Sequence, residues 1–313
     1  MNRFEKFHPL WITLSIGAGF LLGQSSYIKG AASEFITPLL MIMLYFSFVQ
    51  ISLSQIKKGF TRKSFLWSST VMNFVATPLL AWGVAALFFG DQPALWIGFI
   101  MLMVTPCTDW YIIFTGIAKG DTALSTSLLP INLLLQFILL PLYLYLFTGA
   151  SGMVDYSFVI EGIILVLFLP FLLSIASRKI ILRNKSSNFI EKIQHAPIIF
   201  LCLTIMALFA SQGELVLEYG DLLLRVFFVV MFFFLLLFFI GRVVARGMGF
   251  STEERASFHM TTIARNSPIA LAIALTSFPN EPLIATVLII APLIELPVLA
   301  ILAFVIVKLD QGR

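Results

Sequence analysis

The chain has 313 residues, 59% of them hydrophobic and only 12% charged, with a mean hydropathy of +0.99. That is too apolar for a water-soluble domain, and a polytopic helical membrane protein is the expected class. Twenty Lys and Arg against 16 Asp and Glu give a net charge of +4, which in such a protein speaks to orientation and not to nucleic-acid binding. The two cysteines, Cys107 and Cys202, both in apolar stretches, provide no disulfide framework and no zinc-type ligand set.

At about 20 apolar residues per crossing, ten spans are expected, at 9–23, 35–53, 65–89, 94–118, 123–147, 158–176, 190–210, 222–244, 256–278 and 283–307. The first follows Arg3 and Lys6 as a signal peptide would. No small-residue cleavage pattern comes after it, so it is expected to be a short first span. The fourth span is interrupted by Thr105-Pro106-Cys107-Thr108-Asp109. Proline removes a donor and clashes one turn back, while Thr-Pro also starts helices. The sequence thus predicts a helix that stops and restarts, with Thr105 as N-cap and Cys107 at about the second position of the new helix. The ninth span carries a similar signal at Arg265-Asn266-Ser267-Pro268. Broken helices at membrane depth are tolerated only where the freed backbone is buried in protein or faces a watery cavity, and a pair of them points to a transporter's binding site.

Loop charges test this plan, because cytoplasmic loops hold the excess of Lys and Arg. One side collects Arg3, Lys6, Lys57, Lys58, Arg62, Lys63, Lys119, Arg178, Lys179, Arg242, Arg246 and Arg255. The other has acids such as Glu34, Asp91, Glu214 and Glu281, with Lys29 and, at a span edge, Arg225. Both termini are expected to be cytoplasmic, which requires an even number of spans. Pro106 and Pro130 lie 24 positions apart, as do Pro268 and Pro292, and the two pairs are offset by 162. With five spans per half, an odd number, residues 1–150 and 151–313 are expected to be two inverted repeats.

Asp109, Arg265 and Glu295 are then the ionisable groups left at membrane depth, where unpaired charge is costly. Cys107 near a helix start would be a better nucleophile and soft ligand than a mid-helix thiol, or else a small apolar filler. Asp109 either complements the helix dipole or handles protons or substrate. Arg265 is expected near one or both carboxylates, with Glu295 either changing protonation or forming a static ion pair. Thr108, Thr262 and Asn266, close to the breaks, are further site candidates, followed by Asn73, Asn132 and Gln136. Gly19 to Gly23 and Gly116 to Gly120 have the spacing of close helix packing. No H-E-x-x-H, G-x-S-x-G or P-loop pattern occurs, so an enzyme is not expected and no cofactor is called for.

Thr105-Pro106-Cys107-Thr108, Ala118-Lys119-Gly120-Asp121, Ala264-Arg265-Asn266-Ser267 and Pro292-Leu293-Ile294-Glu295-Leu296-Pro297 resemble the bile acid/sodium symporter superfamily, and within it the arsenite permeases of arsenic resistance. The resemblance implies ten helices in two inverted halves, with the broken fourth and ninth crossing at the midplane. It also implies that Cys107 handles trivalent metalloid as substrate and that Glu295 matches the glutamate of a tenth-span Pro-x-x-Glu-x-Pro pattern. The chain departs from the arsenite permeases at the ninth break, where Pro268 stands in place of their proton-carrying glutamate. Thr261 and Arg265 resemble in position the glutamate and glutamine that bind sodium in the bile-acid branch, and a guanidinium there would repel sodium.

The resulting expectation is a multi-pass transporter of the plasma (inner) membrane that exports arsenite or antimonite in exchange for protons. Cys107, Thr108, Arg265 and Asn266 would bind substrate, and Asp109 or Glu295 would couple to the proton. The alternatives are a carrier of a small organic anion held by Arg265 and, from another class, a membrane-embedded enzyme or receptor. Expected partners are the lipid bilayer and a small-molecule or metalloid substrate, not nucleic acid, with a homo-oligomer left open.

Overall fold

A computed structural model describes residues 8–50, 62–108, 110–148, 161–162, 164–183, 193, 195–278 and 280–311. Among these residues it is all-helical, with no strand beyond one isolated bridge. The helices are α1 (His8–Leu22), α2 (Ser26–Val49), α3 (Lys63–Phe88), α4 (Pro93–Met103), α5 (Trp110–Ile117), α6 (Thr122–Thr148), α7 (Leu169–Arg183, entered through a π-helical turn Ile164–Phe168), α8 (Ala196–Glu218), α9 (Gly220–Gly247), α10 (Thr252–Ile263), α11 (Ser267–Ser277) and α12 (Pro282–Gln311). Six of them, α2, α3, α6, α8, α9 and α12, are long and apolar enough to cross a membrane, and the chain is a multi-pass membrane protein. Large apolar side chains such as Leu21, Trp67, Leu87, Phe228, Phe239 and Phe304 are well exposed, as lipid-facing residues must be.

Each expected apolar segment contains helix, but several ends differ. Helix α2 begins at Ser26, so Lys29 and Glu34 lie on the helix and not in a loop before residue 35. Lys29 pairs with Glu214 of α8, which lets its stem lie along the helix while its charge is satisfied. Helix α8 likewise continues beyond residue 210, to Glu218. Glu254, expected in a loop, is buried at the start of α10. There it closes a capping box with Ser251 and meets Arg62 at 2.7 Å. Arg225 holds Asp91 through two bonds of 3.1 Å and keeps that exposed carboxyl below the usual carboxylate range. The Lys29–Glu214 and Arg225–Asp91 pairs each join residues that the loop charges assign to one side of the membrane.

The chain folds into two compact units. One comprises Met1–Ile51, Ser157–Leu223 and Leu271–Pro282, and the other Ser52–Tyr156, Leu224–Ala270 and Leu283–Arg313. Each unit draws on both halves of the sequence. In the first, α8 packs on α1 and α2, and α7 on α2. A side chain at Gly19 would come within 2.6 Å of the Met206 carbonyl, and one at Gly23 within 2.6 Å of the Ala210 carbonyl, so this glycine pair does mark close packing. For the second pair only Gly120 is close-packed, against Ser257; a Cβ at Gly116 would meet only a methyl at 3.8 Å.

The second unit is built around α6, which contacts α3, α4, α5 and α10. Helix α3 carries a π-helical turn at Met72–Ala76. Around it Asn73 points inward, and the Phe74 carbonyl accepts from the Tyr143 hydroxyl of α6. Every named site candidate lies in this unit.

A crossing of two broken helices

The fourth span is interrupted between α4 and α5, and the ninth between α10 and α11. The two breaks lie antiparallel. Pro106 bridges to Arg265, the Asn266 N–H donates to the Thr105 carbonyl at 2.7 Å, and the Cys107 N–H donates to the Ala264 carbonyl at 3.1 Å. Backbone groups freed at each break are therefore satisfied by the other, which meets the requirement for irregular chain inside an apolar protein. This pairing changes the expected local structure. Helix α5 starts at Trp110, not Pro106, so Thr105 is not an N-cap and Cys107 is not in a helical first turn. Non-helical chain across 105–107 keeps the main-chain partners that immediate helix formation would forfeit. Thr105 Oγ1 instead donates back into α4, to the Met101 carbonyl at 2.9 Å.

The second break restarts sooner. Asn266 is the residue before α11, and its Oδ1 accepts from the Ile269 N–H at 3.2 Å, an N-cap arrangement, with Pro268 in the first turn. Its other amide atom, Nδ2, donates to Thr108 Oγ1 at 2.9 Å. One asparagine thus ends one break and holds the other.

Cys107, Thr108, Arg265 and Asn266 are brought together and buried, each no more than 5% exposed. Glu295, on α12 between Pro292 and Pro297, also reaches the crossing. Its Oε1 accepts the main-chain N–H of Arg265 at 2.8 Å. Glu295 thus meets Arg265 through the main chain, whereas the static ion pair, one of the two expectations, would need the guanidinium. The guanidinium donates to the Ile263 carbonyl at 3.1 Å, the Met103 carbonyl at 3.0 Å, the Thr262 carbonyl and, at 3.4 Å, Asn73 Oδ1. Four of its five N–H groups are thereby placed on neutral oxygens. Proximity in space to the ends of two broken helices gives this arginine carbonyl acceptors that no side-chain pattern reveals.

Asn73 is turned toward Arg265 by donating Nδ2 to the Thr261 carbonyl at 3.2 Å. The Thr262 hydroxyl donates within α10, to the Phe258 carbonyl, and only its own carbonyl serves the arginine. Asn132 approaches the first break, its Nδ2 standing 3.5 Å from the Cys107 carbonyl. One turn further along α6, Gln136 is fully buried, and neither its oxygen nor its nitrogen has a hydrogen-bond partner among the described residues. Asp109 lies outside the described residues. Cys202, on α8, belongs to the other unit. No group of three His, Cys, Asp or Glu converges among the described residues.

The family model described as Sodium Bile acid symporter family matches residues 37–219, more than half the chain and inclusive of the first break. The chain belongs to the Sodium Bile acid symporter family. As a member of that family it is a secondary transporter. Arsenical-resistance protein Acr3 of Corynebacterium glutamicum is 26% identical over 329 aligned positions, which cover 97% of this chain and 89% of that protein. The uncharacterized transporter slr0944 of Synechocystis sp. is 25% identical, covering 96% and 88%. Arsenical-resistance protein Acr3 of Alkaliphilus metalliredigens is 23% identical over 243 positions, covering 69% and 67%.

Proposed function

We propose that this symporter-family chain exports arsenite or antimonite across the plasma membrane in exchange for protons. Cys107 carries the reading, as a buried thiol held in non-helical chain where two broken helices meet, in a chain with two relatives that bear an arsenical-resistance name. A trihydroxy metalloid reacts there by balanced exchange. A sulfur–metalloid bond forms, a metalloid–hydroxyl bond breaks, and the thiol proton leaves with that hydroxyl as water. The reverse step releases the cargo, and a single thiol keeps it reversible. Thr108, Asn266, Asn132 and Gln136 offer neutral donors and acceptors suited to an uncharged hydroxylated solute. The orphan amide of Gln136 and the orphan Oδ1 of Asn132 support that assignment.

Glu295 or Asp109 carries the exchanged proton in this reading. The two sequence halves are taken as inverted repeats of five spans, with both termini cytoplasmic. A small organic anion is the weaker alternative, because the guanidinium it would need already serves four oxygens.

Everted vesicles separate these readings. An interior-acid gradient should accelerate arsenite uptake, and Glu295→Gln, which retains an acceptor for the Arg265 N–H, should fold and lose the acceleration. Uptake of a small carboxylate without any uptake of arsenite would overturn the metalloid assignment.

A further inference from the structure

We propose that Arg265 is a built-in cation, its guanidinium filling a seat of oxygens at the crossing that would otherwise take a free singly charged cation. The seat is formed by the carbonyls of Met103, Thr262 and Ile263 and by Asn73 Oδ1. Met103 is the last residue of α4, and Thr262 and Ile263 are the last two of α10. Carbonyls in a final helical turn lack intrahelical partners, and each helix end carries partial negative charge. Two such ends converge here on one fully buried group.

The fourth oxygen is held in place deliberately. Asn73 sits in the π-helical turn of α3 and donates to the Thr261 carbonyl, which aims its Oδ1 at the guanidinium. Glu295 meets the main chain of Arg265, and among the described residues the four oxygens that accept from the guanidinium are all neutral. A ring of carbonyl-type oxygens without carboxylates suits a monovalent ion, whereas divalent calcium and magnesium draw on acidic ligands. Because the cation is covalently attached, the seat is filled in every state of the transporter, and neither sodium nor potassium is needed to hold the broken ends together. This conclusion does not depend on which solute is carried.

Melting of the full-length protein tests it without reference to transport. The parent should melt at one temperature in sodium, potassium and N-methyl-D-glucamine chloride. Arg265→Gly should melt about 10 °C lower in N-methyl-D-glucamine chloride. Methylguanidinium or an alkali cation at millimolar concentration should restore more than half of that loss while leaving the parent unmoved. A glycine variant that melts with the parent, or whose melting no cation raises beyond the parent's, overturns the proposal, as does a parent that requires sodium. If Arg265→Gly fails to accumulate in membranes, Arg265→Lys and Arg265→Met decide. More folded protein with Lys than with Met supports a built-in cation, and any other order, both absent included, overturns it.

Discussion

The two breaks perform different work. The interruption around Pro106, which includes residues 104–108, is the longer, and the side chains it brings to the crossing are Cys107 and Thr108. Residues 264–266 make a short one, and its side chains mainly hold the structure: Arg265 gathers carbonyls from both broken helices, and Asn266 caps α11 while gripping Thr108. In the proposed reading one break presents chemistry and the other fastens it. The contrast shows how irregular chain can be kept inside an apolar protein: main-chain groups freed at one break find partners at the other.

Substitutions around the fastening break should cost stability, and those at the presenting break should cost transport. The largest effect is expected at Glu295. Replacing it by leucine leaves the Arg265 N–H unsatisfied and removes the carboxylate, destabilising by about 3 kcal/mol. Glu295→Gln should stay folded, and a comparison of melting temperatures checks the difference. Next comes Asn266→Ala, which removes the cap of α11 and should cost about 1–2 kcal/mol, read as a lower melting temperature and a lower transport rate. Thr108→Val loses only the bond from Asn266, about 1 kcal/mol, but should raise the solute concentration needed for half-maximal uptake. If Thr108→Val proves more damaging to folding than Asn266→Ala, the division of labour is wrong.

The smallest effect belongs to Asp91→Asn, far from either break. The carboxyl is exposed and its pKa in the folded protein is lowered by Arg225, so its contribution is present at neutral pH and is lost only as acidification passes below the ordinary carboxylate range. Because solvent screens this pair, the variant should melt with the parent at neutral pH.

Much of this arrangement is legible in the residues. Apolar runs mark the helices, because each must cover itself in lipid or neighbouring helix. Prolines 106 and 268, set among threonine, asparagine and arginine, mark where two of them stop. What local pattern does not reveal is the pairing itself. A hydrogen bond from Asn266 to Thr105 joins residues more than 150 positions apart, and it decides that α5 begins at Trp110 and not at Pro106. The same non-local geometry gives the Arg265 side chain its carbonyl partners among the described residues. Lys29 was misplaced for a related reason, since its charge suggested a loop whereas Glu214 on α8 makes it acceptable on a helix. Charged residues read singly overstate how often a helix must end.

The most direct measurement is arsenite uptake by everted vesicles carrying Cys107→Ala beside vesicles carrying Cys202→Ala, at matched protein levels. A solute site at the crossing predicts background uptake for the first and parental uptake for the second. Parental uptake by Cys107→Ala would contradict it.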